Sequence, residues 1–316
     1  MKKLPLINKK LIIATPLAVV LLVFSLIAVK AQETQRTITV NPSVAETMDP
    51  GTYKEGVIHV INDSDGPLTF VAETRDFIVV DTLGTPNVLP VGTLDNKYSA
   101  AAWIGVSPYS FTLQPHQKQD LSYYIQIPPD ARPGGHYAAA VYTPSIAATQ
   151  GQTGANINSE LGTLFYITVN GDVSENALVT KFTAPFSEYG PENISTQIKN
   201  FGDLHIRPIG NVVVTNMLGK KEISKLTEQN IFPGGVARDY TNIAGDRFML
   251  GRYEAKLTAT YGKNNDKLLI ASVAFWVFPW KIALVLVLII VAVVLYFKLW
   301  KKRNTKKEIP VDETAN

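Results

Sequence analysis

The chain predicts an all-β fold: two tandem Ig-like β-sandwich domains, an N-terminal signal segment and one C-terminal transmembrane helix. Three observations carry this. Apolar and polar residues alternate with a period of two through most of the sequence, and helical periodicity is nearly absent. The alternating runs are short and bounded by turn residues. Long uncharged apolar runs stand near each end of the chain.

At the N-terminus, Lys2, Lys3, Lys9 and Lys10 precede the apolar run Leu11 to Ala28. Val29 and Ala31 supply the small residues of a cleavage site, so residues 1–31 read as a signal peptide. The run is long for a signal, which leaves an uncleaved anchor open.

Residues 32–171 form the first predicted sandwich. Its strands are expected at Thr37–Val40, Val57–Asn62, Leu68–Phe77, Phe111–Leu113, Asp120–Ile127, His136–Tyr142 and Thr163–Val169. In "LSYYIQI", Leu121, Tyr123, Ile125 and Ile127 face one way, and Ser122, Tyr124 and Gln126 the other. "IPP" ends that strand, because proline donates no ladder hydrogen bond. "RPGG" turns the chain, with Gly134 and Gly135 free to take positive φ. His136 then reads as the start of a strand rather than as a base. "NDSDG" (Asn62 to Gly66) has a faint look of a calcium loop but no glutamate at its twelfth position, and reads as a turn. Pro144 to Gly162 breaks the strand rhythm with small polar residues. It is either an unstructured hairpin loop or a binding loop that orders on contact.

The polar "NGDVSEN" (Asn170 to Asn176) marks the domain boundary, and residues 172–278 form the second sandwich. Its strands are expected at Ala177–Thr183, Ser195–Asn200, Gly210–Asn216, Lys221–Leu226, Arg238–Thr241, Tyr253–Tyr261 and Leu268–Phe278. Residues 279–300 follow as a membrane span. Ile282 to Phe297 is uncharged, Lys281 and Lys298 can snorkel, and Trp280 and Trp300 suit the two interfaces. A buried core helix is the other reading, but no side of it is polar and a basic cluster follows. Residues 301–316 are a basic tail, cytoplasmic by the positive-inside rule, which puts residues 32–278 outside the cell in a single-pass membrane protein.

The net charge of +3 hides a division. Residues 32–171 carry 6 basic and 13 acidic side chains, and residues 172–278 carry 12 and 11. The exterior is therefore acidic, which excludes a nucleic-acid surface. There is no cysteine, so core burial must stabilise the exported domains.

The motifs of common enzymes are absent. There is no G-x-S-x-G, S-x-x-K, H-E-x-x-H, P-loop or G-x-G-x-x-G, and the four histidines are far apart in sequence. A non-enzymatic protein with no cofactor and no metal site is expected. Aromatic side chains outside a sandwich core can stack on the apolar faces of sugar rings. Trp103, Tyr109, Tyr124 and Tyr142 are the candidate ligand-binding residues, and Tyr124, out of phase with the apolar face, leads them.

The run from Ala100 to Tyr142 resembles the N-terminal domain of the WxL-interacting proteins, a family of bacterial cell-surface proteins. The matching features are Trp103, Leu113 with Pro115, Ile127 with Pro128, and Pro133 to Gly135 with Tyr137. "FPGGVARDY", "GRYEAKLTATYG" and "FWVFPWK" are similar to the family's second domain and its run into the membrane. No W-x-L occurs in the chain itself, which suits a partner of WxL-domain proteins. The resemblance implies an Ig-like domain that binds cell-wall peptidoglycan, a second that binds surface proteins, WxL-domain proteins among them, and no mapped contact residues.

Two functions follow from different directions. One is a non-enzymatic, membrane-anchored cell-surface protein that binds peptidoglycan, surface proteins or both. The other is an Ig-like assembly factor or chaperone that lends a strand edge to secreted surface subunits. A third and weaker one is a signalling ectodomain, which so short a tail could serve only through partners.

Overall fold

The computed structural model describes residues 38–93, 97–145 and 161–305, the last four by backbone alone. The signal segment 1–31, the interior of the Pro144 to Gly162 loop and the tail beyond 305 lie outside the described residues.

Strands form where alternation predicts them. In chain order the first ten are β1 (Ile38–Val40), β2 (Ser43–Met48), β3 (Tyr53–Asn62), β4 (Leu68–Ile78), β5 (Asn87–Val88), β6 (Ile104–Ser107), β7 (Ser110–Leu113), β8 (Lys118–Gln126), β9 (Gly134–Pro144) and β10 (Leu161–Val169). One sheet has the order β1-β3-β8-β6. The other has the order β2-β10-β9-β4-β5, with β7 also paired to β4. The first strand of the domain is split: β1 pairs antiparallel with β3, then β2 crosses to the other sheet and pairs parallel with β10. With that switch, the two sheets follow an Ig-like arrangement. Phe70, Leu113, Leu121, Ile125, Phe165 and Ile167 fill the space between them, each fully buried.

The next seven strands are β11 (Ala177–Thr183), β12 (Glu192–Asn200), β13 (Ile209–Asn216), β14 (Lys221–Lys225), β15 (Val236–Ala244), β16 (Gly251–Tyr261) and β17 (Lys267–Val277). They make the sheets β11-β12-β15 and β14-β13-β16-β17, packed over Ile194, Ile198, Val212, Leu257 and Val277. Helix α1 (Trp280–Thr305) follows after two residues.

Three elements of the first sandwich go beyond the sequence expectation: β2, β5 and β6. β5 and β6 are too short to show a period. β2, "SVAETM", has a weakly apolar inward set and owes its place to pairing with β10, more than a hundred residues along the chain. α1 runs on to Thr305, past the expected end of the span, because Lys and Arg are good helix formers.

Two turns have a local cause. Asn62 is fully buried and its amide donates to the carbonyls of Gly66 and Leu113, at 2.8 and 3.1 Å, while its Oδ1 accepts from the Ser64 N–H at 3.0 Å. "NDSDG" is thus an Asx-type turn. At "RPGG" only Gly134 takes a positive φ, of 120°. A Cβ there would stand 2.8 Å from the Asp203 carbonyl oxygen, so this glycine answers to the second sandwich as well as to its own turn.

β9 departs from simple alternation. Every residue from Gly134 to Tyr142 is buried. Ala138, Ala140 and Tyr142 point into the first core, while Tyr137, Ala139 and Val141 join Phe77, Val79 and Phe232 in a separate cluster. Phe232 belongs to the second sandwich. One face of the β4-β9-β10 sheet therefore lies under the neighbouring domain, and a strand packed on both faces reads as a near-continuous apolar run instead of alternating.

Candidate functional site

The sequence places Tyr124 on the outward phase of β8, and register decides its neighbours. Glu55 of β3 and Gly105 of β6 lie directly beside it, in one row across three strands. The adjacent row is Val57, Ser122 and Ser107. Gly105 lacks a side chain, and a Cβ there would lie 2.3 Å from the Tyr124 ring. The ring therefore lies across the glycine instead of standing up from the sheet. Tyr53 stacks beside it, ring centroids 6.0 Å apart and planes 22° from parallel. The Tyr53 hydroxyl donates to Glu55, which pushes the phenol pKa up.

Glu55, Val57, Ser107, Ser122 and Tyr124 line an open groove of about 450 Å³. Tyr53 is 56% exposed and Tyr124 44%, so two aromatic faces are available to solvent. A carboxylate and two hydroxyls accompany them. Such a surface offers stacking to an apolar ring face and hydrogen bonds to hydroxyls or amides at its rim.

The other expected site residues lie elsewhere. Tyr109 is 61% exposed, on the turn between β6 and β7, and its carbonyl accepts from the Ala72 N–H at 2.8 Å. Trp103 is half-buried against the first core, its ring 4.4 Å from that of His136. Tyr142 requires a correction: it is fully buried, packed against Phe111 at 6.4 Å, and no ligand in solvent can reach it. It lies on the inward phase of β9, and aromatic character alone does not reveal phase. Tyr53 and Glu55 were not anticipated. The signal was present, since Tyr53, Glu55 and Val57 share the phase opposite to the buried Ile58 and Val60.

A second constellation lies at the junction of the two sandwiches. Tyr137 is buried against Phe232 at 5.0 Å, Phe77 at 5.9 Å and Tyr166 at 6.3 Å. Its hydroxyl accepts from the His205 N–H at 3.0 Å and lies 3.2 Å from His205 Nδ1. Burial pushes the phenol far above its ordinary pKa, so it keeps its proton and can donate to an unprotonated Nδ1. Burial lowers the pKa of His205 to about 4, which matches that role. At the rim, Arg132 Nη1 donates to Asp203 Oδ1 at 3.1 Å, and the Gly135 N–H donates to the Asp203 carbonyl at 2.9 Å. Burial works against the Asp203 carboxylate, but the hydrogen bonds from Arg132 and the Ser174 N–H outweigh it and hold its pKa below the usual range. "RPGGHY" thus lies in the contact between the two sandwiches. His136 is buried, with Nε2 2.8 Å from the Arg132 carbonyl. The other two histidines are exposed and pair with carboxylates, His59 with Asp120 at 2.6 Å and His116 with Asp65 at 3.5 Å. Among the described residues no group of three or more His, Asp or Glu side chains gathers as a metal site would need.

From Trp280 to Lys301 the helix is 22 residues long, and an 18-residue stretch within it has a mean hydropathy of 3.0, so it is long and apolar enough to cross a membrane. At 1.5 Å per residue this is about 33 Å, against about 30 Å of bilayer hydrocarbon.

No family model and no curated protein matches the chain. Among solved structures it is similar to the class 5 fimbriae chaperone CfaA, at 12% identity over 74% of this chain and 98% of that one, TM-score 0.38. The YadV chaperone is similar at 10% identity over 76% and 100%, TM-score 0.36. A Salmonella enterica SafA pilin in complex with the SafB chaperone is similar at 13% identity over 75% and 96%, TM-score 0.35.

Proposed function

We propose that this chain is a non-enzymatic, membrane-anchored cell-surface protein that binds cell-wall peptidoglycan, surface proteins or both, as its resemblance to the WxL-interacting proteins implies. α1 is the anchor, with the two sandwiches outside the cell and the basic tail inside. The observation that carries the glycan reading is the Tyr53–Tyr124 platform, two exposed rings beside Glu55, Ser107 and Ser122 on the first sandwich. Flat rings flanked by hydrogen-bonding groups suit amino sugars, which present C–H faces with hydroxyls and amides at the edge.

The test is sedimentation of the full chain, in detergent micelles, with sacculi stripped of protein and teichoic polymers. The intact protein should pellet, and Tyr124→Ala should stay in the supernatant while keeping its thermal transition. An intact protein that never pellets, at low or high salt, overturns the glycan reading.

One observation favours a second reading, an assembly factor for secreted subunits. β17 is eleven residues long, its only ladder among the described residues is with β16, and Leu268 and Ile270 project from it 61% and 57% exposed. Such an edge can accept a further strand. Stable capture of a strand-deficient subunit, lost on a Leu268→Lys, Ile270→Lys double change, would decide for it.

A further inference from the structure

The second sandwich has two ends, and register sorts its loops between them. Gly251 pairs with Val277, Asn216 with Tyr253, and Glu192 with Ala244. The β11–β12, β13–β14 and β15–β16 loops therefore lie at the end where β17 leads into α1. The loops that carry Asp203 and Phe232 lie at the opposite end, against the first sandwich.

The α1 end has an unusual surface. Leu218 and Phe248 are 87% and 86% exposed, the two most exposed large apolar side chains among the described residues. Phe186, Met217 and Leu250 are 63%, 63% and 62% exposed. Each of the three loops thus contributes. Scattered exposed apolar residues need no explanation, but a set gathered at one end does. Basic residues stand beside the apolar tips: Lys220 after Leu218, Arg247 before Phe248, and Lys281 after Trp280.

Chain length sets what this end must meet. Trp280 opens the span, and only Phe278 and Pro279 separate it from Val277. Three residue steps cover at most about 10 Å, and the headgroup zone on each side is about 5–7 Å deep. The strand end is therefore at the membrane surface whenever the helix crosses. Hydrogen bonds hold a loop to the same level. The Phe278 N–H donates to the Ser187 carbonyl at 2.9 Å, and Lys281 pairs with Glu188 at 3.0 Å. The other two loops are tied together, the Gly245 N–H donating to Glu222 at 2.9 Å and Lys220 pairing with Asp246 at 3.7 Å.

We infer that the second sandwich rests on the bilayer, with its β11–β12, β13–β14 and β15–β16 loop tips embedded in the lipid interface around α1. The apolar tips sit at the boundary of headgroups and acyl chains, and the neighbouring lysines and arginines lie among the phosphates. The sandwich then stands on the membrane instead of hanging from a flexible tether, and its attachment to the first sandwich carries the Tyr53–Tyr124 platform outward. This rests on α1 crossing the bilayer, which the test reads separately.

The chain has no cysteine, so single labelling sites can be introduced cleanly. The full protein is reconstituted in vesicles of phosphatidylcholine and phosphatidylglycerol, with an environment-sensitive dye on Leu218→Cys, Phe248→Cys, Leu83→Cys or Ile290→Cys. Lipids carrying a nitroxide near the headgroup or deep in the acyl chain are the quenchers. Labels at 218 and 248 should be quenched by the shallow nitroxide several-fold more than the label at 83, which sits on the first sandwich. The label at 290 should respond to the deep one. If 290 responds and 218 and 248 behave like 83, the sandwich does not rest on the bilayer. If 290 does not respond, the anchor fails and this inference fails with it. The labelled side chains lie on the protein's surface, away from its cores, and a circular-dichroism spectrum matching the unlabelled protein confirms the fold of each variant.

Discussion

The first sandwich carries two groups of tyrosines with opposite fates. Tyr53 and Tyr124 stack in the open on the β3-β8-β6 face. Tyr137 and Tyr166 meet edge to face on the β9-β10 face, where Phe232 and His205 of the second sandwich cover them. Both pairs stand on regular antiparallel strands, and the residue type is the same. The difference lies in what arrives from outside the sheet. Where a second domain docks, the rings join a core: burial raises both phenol pKa values, and the Tyr137 hydroxyl bonds to His205. Where nothing docks, they remain a surface with a carboxylate at its edge. A tyrosine's chemistry here is set by the partner that its strand meets, and only secondarily by the strand.

The largest effect should come from breaking the covered group. Tyr137→Ala removes a buried ring together with the hydroxyl that bonds both His205 groups, and should cost about 3–5 kcal/mol. Denaturant unfolding of the full chain in micelles measures this. A loss no larger than that of an exposed tyrosine would mean that the junction does not stabilise the protein.

Acid should come next. Burial lowers the His205 pKa to about 4, while an unfolded histidine titrates near 6.5. Between those values the unfolded state binds more protons, so stability falls as pH drops below about 6.5 and levels off near 4, a loss of up to about 3 kcal/mol. Burial also lowers the His136 pKa, which adds in the same direction. The unfolding midpoint measured from pH 7 to pH 4 should fall, and His205→Gln should flatten part of that slope. An unchanged slope in the variant would place the sensitivity elsewhere.

The smallest effect on stability should come from the open pair. Tyr124→Ala loses one cross-strand stack and should cost about 1 kcal/mol or less. A much larger loss would mean that the ring over Gly105 is a structural cover and not a free platform.

Much of this architecture was legible from the residues. The strands of both sandwiches, the turns at "NDSDG" and "RPGG", and the apolar helix all follow from patterns a few residues long. Alternation separates the two faces of a strand, and that alone put Tyr124 outward. It also contained the phase that buries Tyr142, on a strand where both phases are apolar and the inward one is ambiguous. What local pattern could not show was pairing. β2 exists because β10 accepts it, and Tyr53 and Glu55 become neighbours of Tyr124 only through the register of β3 against β8.

By itself, then, the sequence determined an all-β chain in two packets with an apolar helix after them, because strand period, turn chemistry and hydropathy are properties of neighbouring residues. Tertiary structure alone decided that "RPGGHY" is a domain junction, that three loops of the second sandwich share the end facing α1, and that two tyrosines form one surface. Each of these depends on contacts between segments tens of residues apart. Such contacts arise from the burial of whole faces, and no short stretch of the chain encodes them.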